Sequence, residues 1–195
     1  MAETKTEEKR LLLTARQVGM IAAFGGLGFA WRALGLVIPL YPPFLLDIRE
    51  TVIILAAFAG GPYVGIGTGI LIGLPSAIPM MDVVYYPGIA VLFCLFVKKI
   101  WQLKGLARHL LLIVSIIAIM YIYGLPVAAA IISLLGIAPF KPFLLTSWFG
   151  GTGYIYVAQM IIPLMIAIEL APDFMKPRWS WRGGEELEIE EAESA

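Results

Sequence analysis

Residues 51–81 read TVIILAAFAGGPYVGIGTGILIGLPSAIPMM, without a single Asp, Glu, Lys, Arg or His. A bilayer core about 30 Å thick is crossed by roughly 20 helical residues. Thirty-one uncharged residues are too many for one crossing, and Gly60-Gly61-Pro62 sits in the middle. Proline has no backbone N–H and its ring collides with the preceding turn, while two glycines free the backbone to turn. The block is therefore expected to break there into two short helices, about 50–60 and 63–76. Each is short for a full crossing, so a re-entrant hairpin is the alternative to two spans.

The rest of the chain fits the same solvent. Residues 83–97, 110–140 and 142–168 also lack charge. Of 195 residues, 60% are hydrophobic and 14% charged, with mean hydropathy +0.88. Soluble domains carry about 25% charged residues. This balance excludes a soluble enzyme and a disordered chain, and the absence of short alternating strands excludes a transmembrane barrel. Net charge is zero, which gives no footing for nucleic acid.

Basic residues set the topology, because Lys and Arg are retained on the cytoplasmic side. They gather at Lys5, Lys9, Arg10 and Arg16, at Lys98, Lys99, Lys104 and Arg108, and at Lys176, Arg178 and Arg182. An even number of crossings must separate each pair of clusters. Splitting 51–81 gives four crossings before the second cluster. Helices at about 108–135 and 148–170 add two. The expected fold class is all-α: six transmembrane helices, both termini cytoplasmic, in a multi-pass plasma-membrane protein. Residues 1–13 form an N-terminal tail, 14–171 the membrane domain and 172–195 a cytoplasmic, acidic and disordered tail. Only Arg32, Arg49 and Lys141 then fall on the outer side.

Chemistry-bearing residues are sparse. His109 is the only histidine and Cys94 the only cysteine. No paired titratable groups, metal-ligand spacing or phosphate loop appears, so neither catalysis nor a metal or other cofactor is expected. Cys94, within an apolar run, reads as buried packing.

Candidate ligand contacts concentrate on the outer side. Arg32 lies about 24 Å along the first helix from Arg16; it either snorkels outward or lines a pocket. The linker 38–50 carries Tyr41 and three prolines, and Asp47 with Glu50 has capping-box spacing. Tyr85 and Tyr86 open the fourth helix, where Asp82 is a cap candidate. A second outer loop, about 136–148, brings Lys141 and Trp148, with Thr146 or Ser147 as a cap for the last helix. That helix offers Tyr154, Tyr156 and Gln159, the amide being either helix glue or a ligand contact. The aromatics equally suit an interfacial belt. Cations such as Arg32 or Lys141 suit a carboxylate or phosphate.

On the first helix Ala15, Gly19 and Ala23 recur every four residues, as do Ala22, Gly26 and Ala30. Such a ridge lets another helix approach closely.

Taken together, the small-residue helix at 16–30, the proline-rich outer segment 38–47 and the Gly-Pro-centred segment 56–73 resemble a substrate-binding S component of an energy-coupling factor (ECF) transporter, of the vitamin-uptake type. That resemblance implies a six-helix subunit holding one vitamin-like molecule in an outward-facing pocket. The loops after helices 1 and 5 would close over it. Ala15, Gly19 and Ala23 would dock on a coupling membrane subunit driven by two cytosolic ATPases. Arg32, Tyr41, Asp47, Tyr85, Lys141, Trp148, Tyr154 and Gln159 are the substrate-contact candidates. A non-catalytic scaffold of the cell-shape type is the alternative, and an intramembrane enzyme a weaker third.

Overall fold

The structure, a computed structural model, describes residues 13–36, 38–41, 44–150 and 152–179. Helix α1 (Ala15–Ala33) begins in a capping box: Thr14 Oγ1 accepts from Gln17 N–H, and Gln17 Oε1 accepts from Thr14 N–H. This satisfies two of the donors that a helix start leaves unpaired. Short strands β1 (Ile38–Tyr41) and β2 (Phe44–Leu46) pair antiparallel, so the linker after α1 is a small hairpin in an otherwise helical fold.

Helix α2 runs Arg49–Gly73 as one continuous helical assignment but is not straight. Gly61, at φ 81° and ψ −171°, is out of helical geometry, a conformation open to glycine and strained for other residues. The two arms fold back on each other. A Cβ built on Gly65 would lie 3.2 Å from Ala57 Cβ, and one on Gly69 would lie 2.9 Å from Ile53 Cδ1. Residues eight and sixteen apart in a straight helix are about 12 and 24 Å apart. The expected break at Gly60-Gly61-Pro62 is thus present, as a helical hairpin. Residue 65 is small for a reason: Ala57 and Ala90 both press against it.

The reversal strands carbonyls, and side chains answer them. Pro62 has no N–H to offer Phe58 O, and Trp179 Nε1–H donates to that oxygen at 3.0 Å. Ala57 O, in the last turn before the break, accepts from Cys94 Sγ at 3.4 Å. The lone cysteine is buried, as packing predicts, and it also donates. Pro163, inside α7 (Thr152–Leu170), leaves Gln159 O without its helical donor; Thr51 Oγ1 donates to it at 2.5 Å. An unpaired carbonyl in an apolar interior costs several kcal/mol, so Trp179 and Thr51 stabilise the bends that prolines impose.

Around the hairpin stand α1, whose Gly25 and Gly28 meet Leu71 and Ile72, and α3 (Pro79–Gln102). Helix α4 (Gly105–Ile119) continues through a π turn, Met120–Gly124, into α5 (Leu125–Leu134). There Leu125 N–H donates to Met120 O, five residues back. The wider turn precedes Pro126, whose ring would otherwise crowd the Ile122 carbonyl.

Two expectations are corrected. The segment expected to be a loop at about 136–148 contains a helix, α6 (Phe140–Phe149): Pro139 precedes its first turn, a position where proline's fixed φ and missing N–H cost nothing. Thr146 and Ser147 lie inside it rather than capping the next helix. The tail expected from 172 onward is folded at its start. Helix α8 (Pro172–Met175) leads to Trp179, 2% exposed beneath the hairpin tip. The glutamate run at 185–193 lies outside the described residues.

Four helical segments are long and apolar enough to cross a membrane: Arg49–Gly73, Pro79–Gln102, Gly105–Leu134 and Gly153–Leu170. Large apolar side chains point outward, with Ile122, Leu134 and Leu170 at 79%, 86% and 80% exposure. That surface suits lipid and would be unfavourable in water. The first segment is the folded hairpin, so its ends lie at one end of the bundle and its tip at the other, beside Arg16, Gln17 and Arg178.

Trp179→Phe keeps the ring and removes the indole N–H. It is expected to destabilise the purified protein by about 1–3 kcal/mol, the cost of an unsatisfied buried acceptor, read as a lowered Tm in detergent. An unchanged Tm would show that Phe58 O needs no donor.

Candidate functional site

The hairpin brings both its ends, Arg49-Glu50 and Gly73, to the start of α3. Gly73 abuts the backbone of Asp82 and Val83. Arg49 is 7% exposed and lies between two carboxylates: Nε donates to Asp47 Oδ2 at 2.7 Å and Nη1 to Asp82 Oδ2 at 2.8 Å. Its guanidinium stacks over the Tyr86 ring, 5.3 Å from the centroid. Asp47 Oδ1 also accepts from Arg49 N–H at 3.2 Å. One arginine therefore joins the hairpin's entry to α3 using two separate nitrogens, a geometry that a guanidinium fork satisfies and a lysine point charge does not.

Glu50 does not complete the expected capping box. Its side chain turns inward, 4% exposed, and accepts from Tyr86 Oη at 3.3 Å through Oε1. Its Oε2 has no hydrogen-bond partner among the described residues. Asp47, Glu50 and Asp82 are each at most 4% exposed. Three carboxylates so deeply buried with one arginine are costly in an apolar bundle, and such groups mark functional sites by default.

They line a cavity of about 450 Å³, within the range of small-molecule sites. Its walls come from the hairpin start, α3, α5, α6 and α7, with Tyr85, Leu125, Ile132, Phe143 and Tyr156 among the apolar contributors. Arg32 lines it from the end of α1. Tyr85 is also held from behind, its Oη against Met120 Sδ at 3.6 Å in the π turn.

Of the residues singled out from sequence, Arg32, Asp47 and Tyr85 line this cavity. Lys141, Trp148, Tyr154 and Gln159 do not. Lys141 is exposed on α6, because the loop that was to aim it inward is a helix. Trp148 packs on Tyr121, and Tyr154 is 60% exposed and lines an apolar surface groove with Ile117 and Ile161. Gln159 acts as glue: its Oε1 accepts from Asp47 N–H at 3.0 Å. The Tyr41 side chain lies outside the described residues. Ala15, Gly19 and Ala23 are exposed, and nothing lies within 4 Å of a Cβ at Gly19. Within the bundle, close packing of α1 falls to Gly25 and Gly28 instead.

Arg49, Glu50 and Asp82 were missed as ligand-site residues. The usable signal was that each borders a long uncharged block, where a charge is either interfacial or buried against a partner. Comparison with protein-family models, curated proteins and solved structures finds no match.

Arg49→Ala would leave two buried carboxylates without their cation. The expected loss is about 3–5 kcal/mol of stability, with Arg49→Lys restoring only part of it. Thermal unfolding of the purified variants checks this; a Tm equal to wild type for Arg49→Ala would contradict the pairing.

Proposed function

We propose that this chain is the solute-binding membrane subunit of an uptake transporter of the ECF type, with no catalysis of its own. The observation that carries the reading is the cavity of about 450 Å³ walled by tyrosines and aliphatic side chains around buried charge. A scaffold has no use for such a cavity, since buried unneutralised carboxylates destabilise a bundle.

In this reading the chain crosses the plasma membrane six times, with the hairpin arms as short second and third spans and both termini cytoplasmic. Eleven of the fourteen Lys and Arg then lie inside, and the cavity opens outward. The hairpin tip beside Arg16 and Arg178 supports this arrangement, because it reaches the basic end of the bundle. Arg32 near the end of α1 and Phe143, Thr146 and Ser147 on α6 line the cavity, which supports closure over a bound vitamin-like solute by the segments after α1 and α5. The exposed small-residue ridge at Ala15, Gly19 and Ala23 supports docking on a coupling membrane subunit, which two cytosolic ATPases would drive.

Purified protein is expected to bind one equivalent of a small molecule recovered with it and identified by mass spectrometry. Tyr85→Ala should weaken rebinding of that molecule by about tenfold, the worth of one good contact. Gly19→Leu should leave binding intact and block assembly with the coupling subunit and ATPases. Absence of saturable binding, together with capture of cell-wall assembly proteins, would favour the scaffold.

A further inference from the structure

The cavity has an unbalanced charge. Its lining includes two guanidinium groups, Arg32 and Arg49, and three carboxylates, Asp47, Glu50 and Asp82. With all five ionised, one negative charge is in excess. Arg49 is already committed to Asp47 and Asp82. Glu50 remains, 96% removed from solvent if its 4% exposure is taken as the measure, with Oε2 unpartnered. A buried carboxylate oxygen without a donor is among the most expensive groups in an apolar interior. Arg32, half-buried and lining the same cavity, makes no ion pair with Glu50.

The geometry points to an organic monocation as the solute: a protonated amine or similar N–H-bearing cationic group on an apolar or aromatic body, with its charge directed to Glu50. This deepens the solute-binding reading above and rests on it. With Glu50 ionised, one positive charge brings the cavity lining to neutrality, whereas an anion would double the excess. A donor that reaches the Glu50 carboxylate on a small rotation of that side chain supplies a charge-assisted hydrogen bond, roughly twice as strong as a neutral one. Tyr85, Tyr86 and Tyr156 line the same space, and tyrosine faces attract cations. A metal ion fits less well, because among the described residues no three His, Cys, Asp or Glu side chains converge to hold one. The expectation that Arg32 or Lys141 receives a carboxylate or phosphate gives way on charge: Lys141 is not in the lining, and an anion at Arg32 would share the cavity with Glu50.

Three probes of similar shape and different charge test this on the full-length chain in detergent: tryptamine, tryptophol and indole-3-propionate, titrated by thermal shift and calorimetry. Tryptamine is expected to bind at least about tenfold more tightly than tryptophol, with indole-3-propionate weakest. Glu50→Gln should remove the preference for tryptamine, and Glu50→Asp, which keeps the charge, should retain it. Unliganded Glu50→Gln should melt at or above the wild-type temperature, since it discards the excess charge and keeps an acceptor for Tyr86; an acid that merely braced the fold would melt lower. Indole-3-propionate binding as tightly as tryptamine, or tryptamine preference surviving in Glu50→Gln, would overturn the cation assignment and leave the binding reading standing. No stabilisation of wild type by any of the three would count against the binding reading itself, and the cation assignment with it.

Discussion

The reversal at Gly60-Gly61-Pro62 is the constraint on which the rest of the molecule depends. A straight helix of 25 residues would carry Gly73 about 36 Å from Arg49. The fold-back instead returns the chain to the level from which it left. Only then do Arg49 and Glu50, at the hairpin's entry, share a site with Asp82, just beyond its exit. The turn survives in an apolar setting because Trp179 supplies Phe58 O with the donor that Pro62 lacks. A residue just beyond α8 thus holds open the geometry of a site at the opposite end of the bundle.

The same logic explains why so much charge is tolerated in so apolar a protein. Arg49 bridges two carboxylates from different elements, so part of the desolvation cost is offset by pairing and part secures the hairpin to α3. Glu50 is left over. In a protein whose task were structural, that residue would be a defect. In a protein that captures a solute, an unsatisfied group in a preformed cavity is a reserve of binding energy released on occupancy. The tyrosines serve both ends: Tyr86 donates to Glu50 and underlies Arg49, while Tyr85 closes the wall against the π turn.

The helical, lipid-facing architecture and the break in 51–81 were legible from composition and from one Gly-Gly-Pro triplet, since both follow from local chemistry. Arg32, Asp47 and Tyr85 were legible as cavity candidates because outer-end polar and aromatic residues are few. Arg49 and Glu50 were not, because a charge at a helix start reads equally as a cap; only the tertiary meeting with Asp82 and Tyr86 distinguishes the two. Helix α6 was hidden by Pro139 and Pro142, which read as loop formers yet sit just before and within a helix's first turn without penalty. The role of Trp179 was hidden for a different reason: its partner carbonyl lies 121 residues away, and no spacing rule connects them.

The fold-back is measured most directly as a distance across α2. Spin labels on Ile48→Cys and Leu74→Cys, in a Cys94→Ser background, can be read by pulsed electron resonance in nanodiscs. Leu74 is 52% exposed and Ile48 half-buried, so both positions accept a label. Two arms packed side by side place the labels within about 20 Å, one interhelical spacing plus the label tethers. An unbroken helix would separate them by about 39 Å, and that distance would contradict the hairpin and the site built on it.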